Sequence, residues 1–379
     1  MRLDTEAPLG PGGGADSASG FFGRALAASR LCGVTRLADI TGLDRLGLPV
    51  WQAVRPAGRA LSVHQGKGAS HLGAKIGALC EAIESHCAEN APADGPLCRF
   101  ADLAPSERAP EMSDFARSRD DPPDAADPVQ WCLGTELATG RAHHLPHHFV
   151  SLDYTSGLPS RFERTSGGLG AGPGEADALR TALFEAIERD ALGEWRRLRP
   201  AEQGATSLAL DSIRFGWFGE WRERFAALDV KLDVFRVPSI VGVPVFTCVI
   251  GGREEFGTAY RRFSGAAAHA EPEIALFKAL AEAIQSRLTL IAGVRDDILP
   301  SYYARPPAKA AGLPSNGACL WDETEPGPAD LETIVERLAG LGYRQVVTKR
   351  LDQGLDGVAV TKVFVPGLGS LRRTRRPAR

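Results

Sequence analysis

The stretches LCEAIESH (79–86), LFEAIERD (183–190) and LAEAIQSR (280–287) carry one signature three times, roughly a hundred residues apart. Glu, Ala and Ile suit any helix, so a single copy would mean little. Three copies ask for a reason. In the first two, the acids stand at i and i+3: Glu81 with Glu84, and Glu185 with Glu188. On a helix these are neighbours on one face. The residues around them are Ala, Leu and Ile, so the helices are too apolar to be solvated all round. Paired acids on such a helix repel one another, and enclosure would raise their pKa values. A divalent cation resolves that conflict, and Mg²⁺ favours carboxylate and phosphate oxygens. A solvated face stays open as the plainer reading, since Glu185 and Arg189 also form a favourable i,i+4 pair. The third copy has Gln285 in place of the second acid and adds Arg287, which turns it from metal toward phosphate chemistry.

Each signature follows a run of small residues. QGKG, with Gly66, Lys67 and Gly68, precedes a helix expected over 71–89. Its backbone N–H groups and lysine suit a phosphate, although no Walker A pattern is present. SGGLGAGPGEA, from Ser166, precedes a helix expected over 175–199 and stopped by Pro200. FSGAAAHAEP, from Phe263, reads as a third small-residue loop before the third helix. Strands are expected at 49–54 and in RALSVHQGKG, at VKLDVFRVP and GVPVFTCVIGG as neighbours, and at YRQVVTKRLD and GVAVTKVFVPGL; a further helix is expected over 210–228. SERAPEMSDFARSRDDPPDAADPV, rich in Pro and Asp, reads as a long surface connection. HHLPHH (143–148) matches no zinc spacing and reads as alternating side chains at a strand edge.

Composition narrows the function classes. A net charge of −3 gives no footprint for nucleic acid. No apolar run long enough to span a bilayer and no secretory h-region is present, so the expected location is cytoplasmic. Seven cysteines without a C-x-x-C argue against a disulfide framework or zinc ribbon and read as small buried hydrophobes. The 379 residues divide into a disordered tail over 1–20, one large domain over 21–370 and a basic tail over 371–379.

These motifs together resemble the YcaO family: SVHQGKG from Ser62, GALCEAIESHCAE from Gly77, TSGGLGAG from Thr165, ALFEAIERDAL from Ala182, and EPEIALFKALAEAIQSRLTLIAGVRDD from Glu271. GVTRLADITGLDRLGLPVWQAVRP and the first EAI form are most similar to the branch found beside TfuA partner proteins. The resemblance implies an α+β fold with mixed β-sheets, packed by helices and internally pseudo-symmetric. It implies ATP- and Mg²⁺-dependent activation of a backbone amide in a peptide or protein substrate. Carried over by position, Glu81, Glu84, Glu185 and Glu188 are the metal ligands. Gly66, Lys67, Gly68, Ser166, Arg189, Glu282, Gln285 and Arg287 are the nucleotide contacts, and the RDD at 295–297 closes or stabilises the site. No single catalytic residue is assigned.

Two positions depart from the family pattern: Gly77 and Ser85 stand where Ser and Arg are common. The C-terminal stretch lacks the P-x-P-x-P of azoline-forming members, and no leader-peptide-binding domain is visible before residue 30. The implied product is therefore a thioamide made with a TfuA-type partner. An azoline cyclodehydratase is the first alternative and a non-catalytic peptide- or partner-binding scaffold the second; a generic ATP-dependent ligase would need an acyl-acceptor site. A homodimer, the substrate, the sulfur source and the purpose of the His143–His148 cluster stay open.

Overall fold

The computed structural model describes residues 18–117, 121–156, 161–252, 261–304, 315–352 and 354–368. The tails expected at 1–20 and 371–379 fall almost wholly outside these residues. In chain order, α1 (Ala18–Leu31) leads into β1 (Arg36–Asp39), β2 (Val50–Val54), β3 (Val63–Lys67) and α2 (His71–Glu89). Then come β4 (Leu97–Arg99), β5 (Pro128–Glu136), β6 (Ala142–Pro146), the single turn α3 (His147–Val150), β7 (Leu169–Gly172), α4 (Glu175–Arg196) and α5 (Pro200–Gly204). The last third holds α6 (Gly216–Ala227), β8 (Val230–Val237), β9 (Val245–Gly252), β10 (Phe263–Ala268), α7 (Pro272–Ala292), α8 (Pro300–Ala304), α9 (Leu331–Gly340), β11 (Val347–Arg350) and β12 (Ala359–Phe364).

The strands form three sheets, ordered β1-β2-β3, β10-β9-β8, and β4-β5-β11-β12-β7 with β6 added to β5. Every pairing between these strands is antiparallel. The fold is α+β, as expected, but the sheets are antiparallel rather than mixed, because the strands are joined within each sheet by turns and returning connections instead of parallel crossovers. One unit recurs three times: a strand at the end of its sheet's order, then the helix that carries EAI. The pairs are β3 with α2, β7 with α4, and β10 with α7. Each helix packs on its own strand and also on the strand of the next unit: α2 on β7, α4 on β10, and α7 on β3. The three units thus close into a ring.

Small residues make that packing possible. A Cβ on Gly66 would lie 2.1 Å from Ala74 O and Ala78 N of α2. One on Gly170 would lie 2.3 Å from Ala178 O of α4, and one on Gly265 2.2 Å from Ala283 N of α7. Only strand glycines facing helix alanines let the backbones come this close. The third run is therefore a strand, not the loop its composition suggested, because its small residues serve close packing rather than a turn. The second glycine run holds a strand for the same reason. Each EAI helix has its own core. Ala82 and Ile83 pack with Trp131 and Phe115; Leu183 and Ile187 with Trp195 and Phe235; Ala283 and Ile284 with Phe246 and Trp217.

Other differences are local. The helix from 175 ends at Arg196, and Pro200 opens α5, where its missing N–H costs nothing. The helix expected over 210–228 begins only at Gly216, because Ser212 turns its hydroxyl to Ala209 O and accepts from Trp321 N. The Pro/Asp-rich connection is pinned rather than superficial: Met112 and Phe115 are buried, and Phe115 stacks on Phe364 at 4.7 Å between ring centres. β5 and β4 follow and flank it, and neither was expected.

A methyl group at Gly66 must push two backbones apart. Gly66→Ala is expected to cost about 3 kcal/mol in urea unfolding, the upper end for overpacking. Gly73→Ala, in the exposed first turn of α2, is expected to stabilise by up to about 1 kcal/mol.

Candidate nucleotide and metal site

α2 is capped by Ser70, whose hydroxyl accepts from Gly73 N at 3.2 Å. The GKG run before it is not the open loop expected, because Gly66 and Lys67 end β3 and the Gly68 N–H donates to Pro49 O at 3.2 Å. The ring then brings the acids together. Glu81 and Glu84 from α2, Glu185 and Glu188 from α4, and Glu282 from α7 lie within one another's fields. The backbone of Gln65 in β3 lies close enough to Glu81, and that of Ala171 in β7 to Glu84, to oppose the rise in their pKa values. The two α2 carboxylates thus span strands of two different sheets. Glu185 accepts from Arg189 at 3.1 Å. Lys67 reaches Glu282 at 3.2 Å. Gln285 donates to Gln65 O at 3.2 Å, leaving its own Oε1 buried and without a partner.

The electrostatics are those of a crowded, wet cleft. Glu81 is open to solvent and the other paired acids are half-buried, so enclosure by the walls, not a dry interior, sets the shifts. That enclosure raises Glu81, Glu84, Glu185 and Glu188. The charges of Glu81 and Glu185 push Glu84 well above the carboxylate range. Glu188 rises to about 8, first by enclosure and then by Glu282. Enclosure opposes the charge of Lys67, but Glu282 and Glu81 hold its pKa above the ordinary value.

Other predicted residues have other employment. Arg287 is committed to Asp44, at 2.7 Å between Nε and Oδ2, and lies over the Phe263 ring. Asp296 of the RDD segment accepts from Ser62 N at 2.6 Å and Ser62 Oγ at 2.9 Å, while Arg295 pairs with Asp297 and stands in the field of Glu81. This segment ties the end of α7 to the start of β3. Gly77 lies against Gly66, where a Cβ would come 3.3 Å from Gly66 Cα. Ser85 bonds Glu89 at 3.2 Å, beside the buried Arg55–Glu89 pair. A guanidinium is therefore near position 85, but it is committed elsewhere. The histidines part company: His143 and His144 lie on β6, whereas His147 and His148 bond Ala91 O and Arg164. All seven cysteines are free thiols.

Two cations were missed. Lys278 stands one turn before Glu282 on the same face of α7, and enclosure together with Lys67 lowers its pKa. Lys362 on β12 is fully buried; burial lowers it to about 8, opposed by Glu185. Each left a trace: Lys278 has i,i+4 and i,i+7 spacing to Glu282 and Gln285, and Lys362 is alone in an apolar strand.

An all-oxygen, electron-rich donor set whose acids repel one another suits a hard divalent cation. Among the described residues, no three His, Cys, Asp or Glu side chains cluster closely enough to cage an ion alone. A cation here would be held by carboxylates in ones and twos, with a ligand's phosphate oxygens completing its shell. The orphaned Gln285 Oε1 and the lysines add partners for that ligand.

The geometry thus defines a class: an α+β protein whose central cleft pairs metal-suited acids with phosphate-suited cations. Residues 65–369 match the family model described as YcaO cyclodehydratase, ATP- and Mg²⁺-binding. The chain belongs to the YcaO family. It is 32% identical over 353 residues to a protein of Rhizobium leguminosarum bv. trifolii encoded in the tfuA 3′ region, covering 89% of this chain and 84% of that one. An uncharacterized protein of Methanothermobacter thermautotrophicus is 30% identical, covering 89% and 90%. Among solved structures, YcaO from Methanopyrus kandleri bound with AMPPCP and Mg²⁺ superposes with a TM-score of 0.71 at 21% identity, covering 95% of this chain and 96% of that one. A heterocyclase in complex with substrate and cofactor gives 0.68 at 21% identity; the match covers 89% of this chain and 50% of that protein. The E. coli microcin synthetase McbBCD complex with pro-MccB17 gives 0.64 at 17% identity, covering 88% of each chain. No helix among the described residues is long and apolar enough to cross a membrane.

Raised carboxyl pKa values favour the protonated site, so their stability is complete below the ordinary carboxyl range and fades as the pH rises through the folded values. The thermal midpoint of metal- and nucleotide-free protein is expected to fall between about pH 5 and about 8, the value for Glu188. Glu188→Gln should flatten that fall, and Mg²⁺ should raise the midpoint most at the alkaline end, both read by differential scanning calorimetry.

Proposed function

We propose that this protein activates a backbone amide of a peptide or protein substrate with ATP and Mg²⁺, and that the product is a thioamide formed with a TfuA-type partner. The convergence of Glu81, Glu84, Glu185 and Glu188 on one cleft, beside Lys67 and Lys278, supports the nucleotide half of this reading. Membership of an ATP- and Mg²⁺-binding family supports it too. The relative encoded beside tfuA favours thioamidation.

In this reading a sulfide-class nucleophile adds to the amide carbon, and the carbonyl electron pair moves to oxygen. That oxygen attacks the γ-phosphorus of ATP; the bond to the β-phosphate oxygen breaks, and its electron pair leaves on ADP. Loss of phosphate and a proton from the adduct then forms C=S. Mg²⁺ supplies charge neutralisation at the phosphates when bound. The chain's own part is positioning and charge. Glu81, Glu84, Glu185 and Glu188 hold the cation, Lys67 and Lys278 face the phosphate oxygens, and Arg189 lies beside the second glycine loop. Glu282 keeps Lys67 charged and aimed. Gln285 offers an acceptor to the nucleotide.

Azoline cyclodehydration is the second reading, favoured by the heterocyclase and microcin synthetase among the structural neighbours. There a side-chain Cys, Ser or Thr of the substrate replaces the external sulfide.

Calorimetric titration with ATP should show Mg²⁺-dependent binding, weakened at least about tenfold by Glu84→Gln and by Glu188→Gln, as expected for a lost charged contact. Binding indifferent to metal and to both acids would favour a scaffold. Mass spectrometry of candidate peptides with sulfide and a TfuA-type protein separates the products: oxygen exchanged for sulfur marks a thioamide, and loss of water an azoline.

A further inference from the structure

The second glycine loop is held in an unusual way. Lys362, fully buried on β12, donates from its ammonium to Thr165 O at 2.6 Å and to Gly167 O at 3.3 Å. A buried charge needs such partners, and Phe149 lies 5.3 Å beneath it. The consequence lies on the other side of the peptide planes. In a trans peptide the N–H points opposite to the C=O. By drawing in the carbonyls of Thr165 and Gly167, Lys362 turns the N–H groups of Ser166 and Gly168 away from itself.

Neither of those N–H groups has an acceptor among the described residues. Gly168 is buried, and a buried orphan N–H is rare enough to ask for a partner. Gly168 also has a left-handed φ of 77°, and a Cβ there would lie 2.4 Å from Val363 O, so no other residue fits without strain. The intervening N–H, of Gly167, is taken by Thr165 Oγ1 at 3.0 Å, which holds the turn. Free N–H groups in a turn with one left-handed residue form a concavity that binds anions. Arg189 runs along this loop: its Cγ is 4.0 Å from where a Gly167 Cβ would stand, and its guanidinium bonds Glu185.

We infer that the Ser166 and Gly168 N–H groups, set by Lys362, form an anion nest that takes the transferring γ-phosphoryl group of ATP. The inference rests on the nucleotide reading above. The nest stands beside Arg189 and Glu185, residues that in that reading would hold the nucleotide and its cation. Lys362 is a positioning residue: it acts through the loop and touches no reacting atom.

The test compares ATP with ADP on the full chain in Mg²⁺, by calorimetry, for the wild type, Lys362→Met and Ser166→Pro. Ser166→Pro removes one N–H from an exposed loop position, so it serves even if Lys362→Met does not fold. The expected result is that ATP affinity falls about tenfold in each variant while ADP affinity stays within about twofold, as for loss of a charge-assisted contact to the γ-phosphate alone. ATP and ADP weakening together, or neither changing, would overturn the nest while leaving the nucleotide site standing. A wild type that binds neither nucleotide would remove the site itself and the nest with it.

Discussion

Everything in this molecule depends on how closely three strands approach three helices. Gly66, Gly170 and Gly265 let β3, β7 and β10 lie directly on the backbones of α2, α4 and α7. At that distance each helix can reach the strand of the next unit as well as its own, so three units close into one ring. The signature repeats because its position in the unit repeats. Residues one turn apart on each helix are delivered to the same central cleft, and three cores behind the helices hold them there.

The three units repeat one strand-and-helix arrangement but differ in chemistry. Two units supply paired acids, which repel one another and share Arg189 and Lys67 as nearby cations. The third supplies Glu282, already paired with Lys67, and Gln285, which reaches back to β3. A pseudo-symmetric scaffold has thereby been split into a side that suits a metal and a side that suits a phosphate. The raised carboxyl pKa values are the electrostatic record of that split. They mark acids that a proton or a cation can neutralise.

Much of this was legible in the residues. The i,i+3 acids on apolar helices and the start of α2 are legible in the residues, because local spacing fixes them. The GKG run is not, since Gly66 and Lys67 end β3 rather than form a loop and the Gly68 N–H is taken by Pro49 O. What failed was the meaning of small residues. FSGAAA looked like a loop because Gly and Ala usually mark flexibility. Here Gly265 marks contact with a helix more than a dozen residues along the chain, and no local pattern reports that. The Pro/Asp-rich connection misled in the same manner: its composition is that of a surface loop, but Phe115 anchors it among aromatic rings from α3 and β12. Arg287 had the right chemistry for phosphate, and only the fold could show Asp44 waiting beside it. Lys362 was visible as a lone charge in an apolar strand, yet its employment depends on a loop nearly two hundred residues earlier.

In the proposed function, the ring places the acids of α2 and α4 around one divalent-cation site. Anomalous diffraction from crystals grown with Mn²⁺ and a non-hydrolysable ATP analogue tests it most directly. Anomalous peaks are expected between the carboxylates of Glu81, Glu84, Glu185 and Glu188, with the analogue's phosphates completing the coordination. Peaks confined to other surfaces, with these acids left unliganded beside a bound nucleotide, would contradict it.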